Sequence, residues 1–255
     1  FVQTLRNDEN LGVAAAQNLG IEAARRQGAG FVVLFDQDSV PAPDMVARLL
    51  AAAEARAASG WKVAAVGARY RDARRDTPPP FISVRGLRLR RHPCPSEEAV
   101  VAVDYLVSSG SLIPMTTLDR VGPMREDLFI DYVDVEWGLR ARSRGYQCFG
   151  VCGAHMAHSL GELPIRWLGR AYPHHSPLRH YYLFRNAVLL YREGWLPLGW
   201  KLVDGARLAL KYGFYGLFAR PRGRHLAMMT KGLVHGLRGI GGRLDHVAPG
   251  RRWRQ

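Results

Sequence analysis

Cysteine is scarce in this chain, and acid is outnumbered by base. Only three cysteines occur in 255 residues: Cys94, Cys148 and Cys152. So sparse and odd a set argues against the disulfide framework of a secreted domain and for a reducing compartment. No uncharged apolar run reaches the roughly 18 residues that a spanning helix needs. No signal peptide is visible, because the N-terminus reads directly as mature structure. Acidic residues number 22 against 36 Lys and Arg, leaving a net charge of +14. The imbalance is concentrated: residues 195–255 hold 12 Lys and Arg opposed only by Asp204 and Asp245, so +10 of the charge sits in the tail. A basic tail on a nearly balanced body points to an anionic surface as its partner, either lipid or nucleic acid.

What is present suits a globular fold. The hydrophobic share is 47%, and the length allows one large domain or a domain with an appendage. The first half alternates. Residues 2–5 read as a strand, 12–27 as an Ala-rich helix, 31–35 as a strand, and 43–58 as a helix with Gly60 beyond its end. Residues 63–66 read as a further strand. That alternation predicts an α/β layer fold with a mostly parallel sheet. Residues 69–99, rich in Arg and Pro, read as a long loop. A strand over 100–107, a small-residue turn at 108–111, a short apolar piece at 112–114, a helix over 131–145 and a strand over 147–151 follow. Beyond Trp195 the pattern is helical and amphipathic. Lys201, Asp204, Arg207 and Lys211 share one face there, and Leu198, Leu202, Leu210, Phe214 and Leu217 occupy much of the remainder.

The chemistry-bearing residues fall in three places. The strand at 31–35 runs into Asp36-Gln37-Asp38. Residues i and i+2 of an extended segment point the same way, so Asp36 and Asp38 converge, and convergent carboxylates repel unless a cation lies between them. Oxygen donors of this kind suit Mg²⁺ bound together with substrate phosphates. The alternative is an acidic turn that caps the next helix. The second place is Asp131, Asp134 and Glu136 at a helix start. Acids are favoured there by the helix dipole alone, and Glu136 is also placed to pair with Arg140 at i+4. A carboxylate at such a start, aimed at a cleft, equally suits a general base. The third is His155 and His158, just after a strand. With Cys148 and Cys152 they form an alternative closed zinc set, although that spacing is looser than closed sites use.

In order along the chain, these pieces resemble the GT-A-fold, inverting family 2 glycosyltransferases, most nearly the bacterial rhamnosyltransferases. The segment from Asn7 to Asn18, with Asn10 and Gly12, resembles the asparagine-glycine segment before the metal strand. Asp36-Gln37-Asp38 resembles the DxD metal motif, and Ser108-Ser109-Gly110 the acceptor-side turn. The stretch from Phe129 to Trp137 resembles the catalytic-base segment. His158, before Leu160-Gly161, resembles the late metal ligand. His180-Tyr181-Tyr182-Leu183-Phe184-Arg185-Asn186 resembles a block of the rhamnosyl branch. The resemblance implies Asp134 as base and Ser109, Gly110, Asp131, Glu136 and Trp137 at the acceptor. It implies Asn10, Gly12, Asp36, Gln37, Asp38 and Arg185 at the donor, and Asp36, Asp38 and His158 around Mg²⁺ or Mn²⁺.

It further implies a nucleotide-sugar donor, dTDP-rhamnose, and a glycan or lipid-linked acceptor. The expected setting is cytoplasmic, at the inner face of the bacterial plasma membrane, with the basic helical tail against anionic lipid and no nucleic-acid partner. The expected division is a catalytic domain over residues 1–194 and a basic amphipathic appendage over 195–255. One departure stands out. The chain begins at what resembles the family's third strand, so the first two family strands, and much of the nucleotide pocket, are expected to be absent. Competing readings are a non-catalytic remnant and a basic nucleic-acid-binding protein, although no nucleic-acid motif appears.

Overall fold

Ala-rich, apolar-faced segments alternate with short strands to make two layers of helix around one sheet. The computed structural model describes residues 2–71, 78–158, 165–167 and 170–247. In chain order the main elements are α1 (Val13–Arg26), β1 (Phe31–Leu34), β2 (Ser39–Pro41), α2 (Met45–Ala58) and β3 (Val63–Arg71). Then come β4 (Phe81–Arg85), β5 (Arg88–His92), β6 (Val100–Val103), β7 (Ser111–Pro114), α3 (Met115–Val121) and α4 (Val133–Ser143). The chain continues through β8 (Gln147–His158), β9 (Ile165–Trp167), β10 (Arg170–Tyr172) and α5 (Pro177–Tyr191). It finishes with α6 (Leu198–Phe218), α7 (Arg222–Leu237) and α8 (Leu244–Val247).

The main sheet runs β1-β7-β3-β8-β2, with β6 also paired to β8. The expected mostly parallel sheet is in fact mixed. Strands β1, β3 and β8 run the same way, but β7 inserts antiparallel between β1 and β3. Among the described residues only β3 and β8 are parallel neighbours. The inserted strand matters, because its leading turn, Ser108-Ser109-Gly110, is thereby set beside the end of β1. Apolar residues of β3 are buried on both faces, as an interior strand requires. Ala14 and Ile21 of α1 join Leu118, Trp137 and Leu139 in one core. Met45, Leu49 and Ala53 of α2 join Val63, Val66 and Phe149 in the other.

Three expectations change. Among the described residues, 2–5 pair with no strand, and Val2 and Leu5 are exposed. The stretch expected as one loop holds an antiparallel hairpin, β4–β5, with Val84 opposite Leu89 and Gly86-Leu87 at its tip. Two of the three cysteines, Cys94 and Cys152, form a disulfide across 58 residues, and Cys148 is free and buried. This runs against the reducing-compartment reading and removes Cys152 from any zinc set.

The tail is built into the body. Phe184 and Ala187 of α5 share a core with Leu208 and Tyr215 of α6 and Met229 of α7. Of the charged face of α6, Asp204 and Lys201 turn toward the body while Arg207 stays exposed. Asp204 accepts hydrogen bonds from Tyr132 (2.9 Å) and Tyr191 (2.7 Å), and Lys201 donates to the Glu193 carbonyl (2.8 Å). Trp200, near the start of α6, is buried. Helix α7 lies directly on the backbone of α5. A Cβ on Gly232 would stand 2.5 Å from the Tyr181 carbonyl oxygen, and one on Gly236 would stand 2.6 Å from Val188 Cβ. Small residues four apart allow this approach, as in close helix pairs generally. Gly236→Val is expected to lower the unfolding free energy by about 1–3 kcal/mol through overpacking, read as an earlier urea midpoint. An unchanged midpoint would mean that α7 is not docked in this way.

Candidate active site

The first acidic place forms at the end of β1. After Leu34 the chain turns, and the Ser39 amide donates to the Asp36 carbonyl (3.1 Å). Asp36, Gln37 and Asp38 are all exposed. The turn is braced from the β7 side. Ser109 Oγ accepts the Asp36 amide at 3.1 Å and lies 2.6 Å from Ser39 Oγ. The Gly110 amide donates to the Leu34 carbonyl (2.8 Å). Ser109 is itself buried. Ser109 and Gly110, expected on the acceptor side, thus underlie the acidic turn. The backbone of His158 stands opposite Ser39 in the β2–β8 ladder, one residue beyond Asp38. The side chain of His158 lies outside the described residues.

This donor set fits a hard divalent cation. It offers exposed carboxylate oxygens, and such ions complete their shell with water and phosphate oxygens. Among the described residues no group of three His, Cys, Asp or Glu converges on one point; Asp36 and Asp38 lie in a turn closed by the Ser39 amide rather than on the extended segment expected. The zinc alternative does not gather: Cys148 lies in the core, Cys152 is disulfide-bonded, and His155 Nε2 is 2.7 Å from Glu97.

The second acidic place has a different character. Asp134 sits in the first turn of α4, half-buried, and lines a small cavity of about 20 Å³ with Leu34, Ser108, Met124, Trp137 and Cys148. That volume holds about one water molecule. The same cavity wall therefore joins the end of β1, the β7 turn and α4. Asp134 Oδ1 accepts the Val135 amide (2.8 Å). Burial raises its carboxyl from 3.8 to about 6, opposed by the Val135 and Ser108 amides and assisted by repulsion from Asp131. A carboxylate held near neutrality is suited to accept a proton.

The loop that delivers Asp134 is conformationally strained. Phe129, Asp131 and Tyr132 all have positive φ, at 63°, 63° and 65°. Such residues cost on the order of 1–3 kcal/mol each. The strain is held by two neighbours on α5. The Asn186 amide nitrogen donates to the carbonyls of Leu128 (2.9 Å), Ile130 (2.7 Å) and Asp131 (2.8 Å). Arg185 donates to Asp127 (3.0 Å), Leu128 (2.9 Å) and the Gly242 carbonyl. It also stacks over Tyr182, 4.9 Å from the ring centre. Arg185, expected at donor phosphates, is fully buried with its guanidinium engaged beneath the loop. The asparagine-glycine segment closes the other side. Asn10 accepts the Gly12 amide (3.0 Å), and the Val13 amide donates to the Phe129 carbonyl (2.7 Å). Gly12 has φ +86° and stands so near Phe129 that a Cβ would fall 2.5 Å from its ring.

The remaining predicted residues divide. Trp137 lines the Asp134 cavity and donates from Nε1 to the Gly122 carbonyl (2.9 Å). Glu136 is buried on the other side of α4, in a two-pronged pair with Arg140 (2.8 and 3.0 Å). That is the i+4 pairing its spacing allowed. Asp131 pairs with Arg179 (3.2 Å). Sequence reasoning placed Asn186 and Ser108 within longer segments but gave neither a role of its own. Nothing in their spacing marks those roles: Asn186 donates to backbone carbonyls and the Ser108 amide to the Asp134 carboxylate, partners brought near only by folding.

Comparison with known proteins accords with this arrangement. Residues 1–103 match the family described as Glycosyl transferase family 2. A dTDP-rhamnosyl transferase, RfbF of Shigella flexneri, is 34% identical over 189 residues, which make up 74% of this chain and 62% of that protein. The chain thus spans less than two thirds of the length of this curated relative. Among solved structures, GalNAc-T7 with UDP, GalNAc and Mn²⁺ matches with TM-score 0.52 at 13% identity, covering 92% of this chain and 44% of that one. S. aureus TarS matches with TM-score 0.54 at 13% identity, covering 94% and 39%. These two likenesses concern the fold. Taken together, the sequence matches make the chain family 2 glycosyltransferase-like and rhamnosyltransferase-like, and the structural likenesses give it the GT-A fold.

Proposed function

We propose that the chain carries the catalytic centre of a rhamnosyltransferase that moves L-rhamnose from dTDP-rhamnose to a hydroxyl of a glycan or lipid-linked acceptor, with inversion. The acceptor side would face the inner surface of a bacterial plasma membrane. The observation that carries the reading is the placement of Asp134. It is a half-buried carboxylate raised to about 6, on a cavity wall shared with the strand that ends in Asp36 and Asp38. The 34% identity to a dTDP-rhamnosyl transferase supports the choice of donor.

In this mechanism Asp134 accepts the proton of the acceptor hydroxyl as its oxygen attacks the anomeric carbon. The carbon–oxygen bond to the diphosphate breaks on the opposite face. One displacement inverts the centre, so no enzyme nucleophile is required. The α4 N-terminus favours the ionised carboxylate, and the loop clamp holds its position. Asp36 and Asp38 would hold Mg²⁺ or Mn²⁺, which when bound offsets the charge growing on the diphosphate. Ser109 keeps the Asp36 turn in place through the amide bond described above. Asn10, Gly12 and Gln37 line the donor side, and Trp137 backs the acceptor side.

Two consequences of the Asp134 environment separate catalysis from folding. Transfer should rise as pH passes through about 6, where Asp134 ionises. Asp134→Asn should lower turnover by about a hundredfold or more while leaving dTDP binding near normal. The stability effect has the opposite sign. A carboxyl raised from 3.8 to about 6 binds its proton more tightly in the folded chain, so its stabilisation is complete below the ordinary value and is lost as pH climbs through about 6. At neutral pH Asp134→Asn should therefore be more stable, on the order of 1–2 kcal/mol after solvent screening at a half-buried site. Urea unfolding and rhamnose transfer measured on the same preparation check both signs. Normal turnover in this variant would move the base elsewhere, with Asp131 the next candidate.

A further inference from the structure

We propose that the outward face of α6, together with the tip of the β4–β5 hairpin, is a docking surface for an anionic lipid bilayer. Leu198, Leu202, Leu210 and Leu217 are 69%, 53%, 75% and 63% exposed. At 100° per residue they fall within about one third of the helix circumference. Ala206, Ala209 and Gly213, also exposed, fill the gaps between them. No charged residue interrupts this row. The charges of α6 that could have solvated it are turned the other way: Asp204 is held by two tyrosines and Lys201 by a carbonyl. The helix has 21 residues, so the row runs for about 30 Å.

A second element meets the same surface. The hairpin tip touches the start of α6, where a Cβ on Gly199 would stand 2.4 Å from the Gly86 carbonyl oxygen. The next residue along the hairpin, Leu87, is 67% exposed, and the residue before Gly199 is Leu198. Two elements distant in sequence thus bring exposed leucines together, where a monomer in water gains nothing from their exposure.

The rim identifies the occupant. Arg88 follows Leu87 at the hairpin tip, Arg207 flanks the row, and Arg220, Arg222 and Arg224 lie just past its C-terminal end. All five are exposed, and none has an ion-pair partner among the described residues. A second copy docked by two-fold symmetry would set this basic rim against itself. An anionic headgroup layer accepts the leucines and the arginines together. None of these residues takes part in the proposed transfer, so the surface can stand or fall independently of the proposed reaction.

Flotation tests it with neither donor nor acceptor present. The vesicles are phosphatidylcholine alone and phosphatidylcholine with phosphatidylglycerol, each at low and high salt. The chain should float with the phosphatidylglycerol vesicles at low salt. Leu202→Glu combined with Leu210→Glu should cut recovery by about tenfold or more with an unchanged circular dichroism spectrum, since both sites are exposed. Arg222→Glu combined with Arg224→Glu should weaken binding and flatten its salt dependence. Equal recovery of the wild type and the leucine variant would overturn the proposal. So would a wild type that leaves the vesicles unbound and self-associates until the leucine substitutions are made, because a second copy would then be the occupant.

Discussion

Six consecutive carbonyls, residues 127–132, lead into the helix that bears Asp134, and each one meets a donor. Arg185 and the Gly242 amide serve Asp127; Arg185 and Asn186 serve Leu128. The Val13 amide serves Phe129, Asn186 serves Ile130 and Asp131, and the Glu136 amide serves Tyr132. A segment with three non-glycine residues at positive φ has no regular ladder to satisfy its backbone, and an unmet buried carbonyl is expensive. The clamp therefore both permits the strained path and fixes it. What is fixed is the entry of α4, and with it the depth at which Asp134 sits.

The clamp also explains why the tail belongs to the site. Gly242 lies beyond α7, and its carbonyl and amide both join the clamp. Tyr132 reaches from the loop to Asp204 on α6. The α5–α7 contact through Gly232 and Gly236 brings these groups within reach. The same inward turn of polar groups leaves the leucines of α6 outside. Loop geometry and the exposed apolar row are thus two results of one packing choice. Residue 194 was expected to divide a catalytic domain from an appendage, yet these hydrogen bonds run directly across it.

Much of the centre was legible in the sequence. The strand ending in Asp36 and Asp38, the Ala-rich helices α1 and α2, and the helix start at Asp134 each carry their signal locally. The hairpin β4–β5 was hidden because Arg alternates there with Leu and Val, and its charge reads as loop. The disulfide joins residues 58 apart, a pairing that spacing does not reveal. Arg185 looked like a phosphate ligand because nothing local says that a guanidinium will be buried under carbonyls. The charged stripe of α6 was expected against anionic lipid for the same reason, since the partners of Asp204, Tyr132 and Tyr191, come from elsewhere. What failed was residue environment set by distant backbone; what held was periodicity and motif order.

The direct test of the account is the pH profile of rhamnose transfer by Asn186→Ala, taken with its kcat and donor KM. If the clamp sets the depth of Asp134, loosening it hydrates the carboxylate. The limb near pH 6 should then move toward the ordinary 3.8, and kcat should fall at least about tenfold with donor KM little changed. A folded variant with the wild-type limb and wild-type kcat would contradict the claim that the clamp positions Asp134, the proposed base.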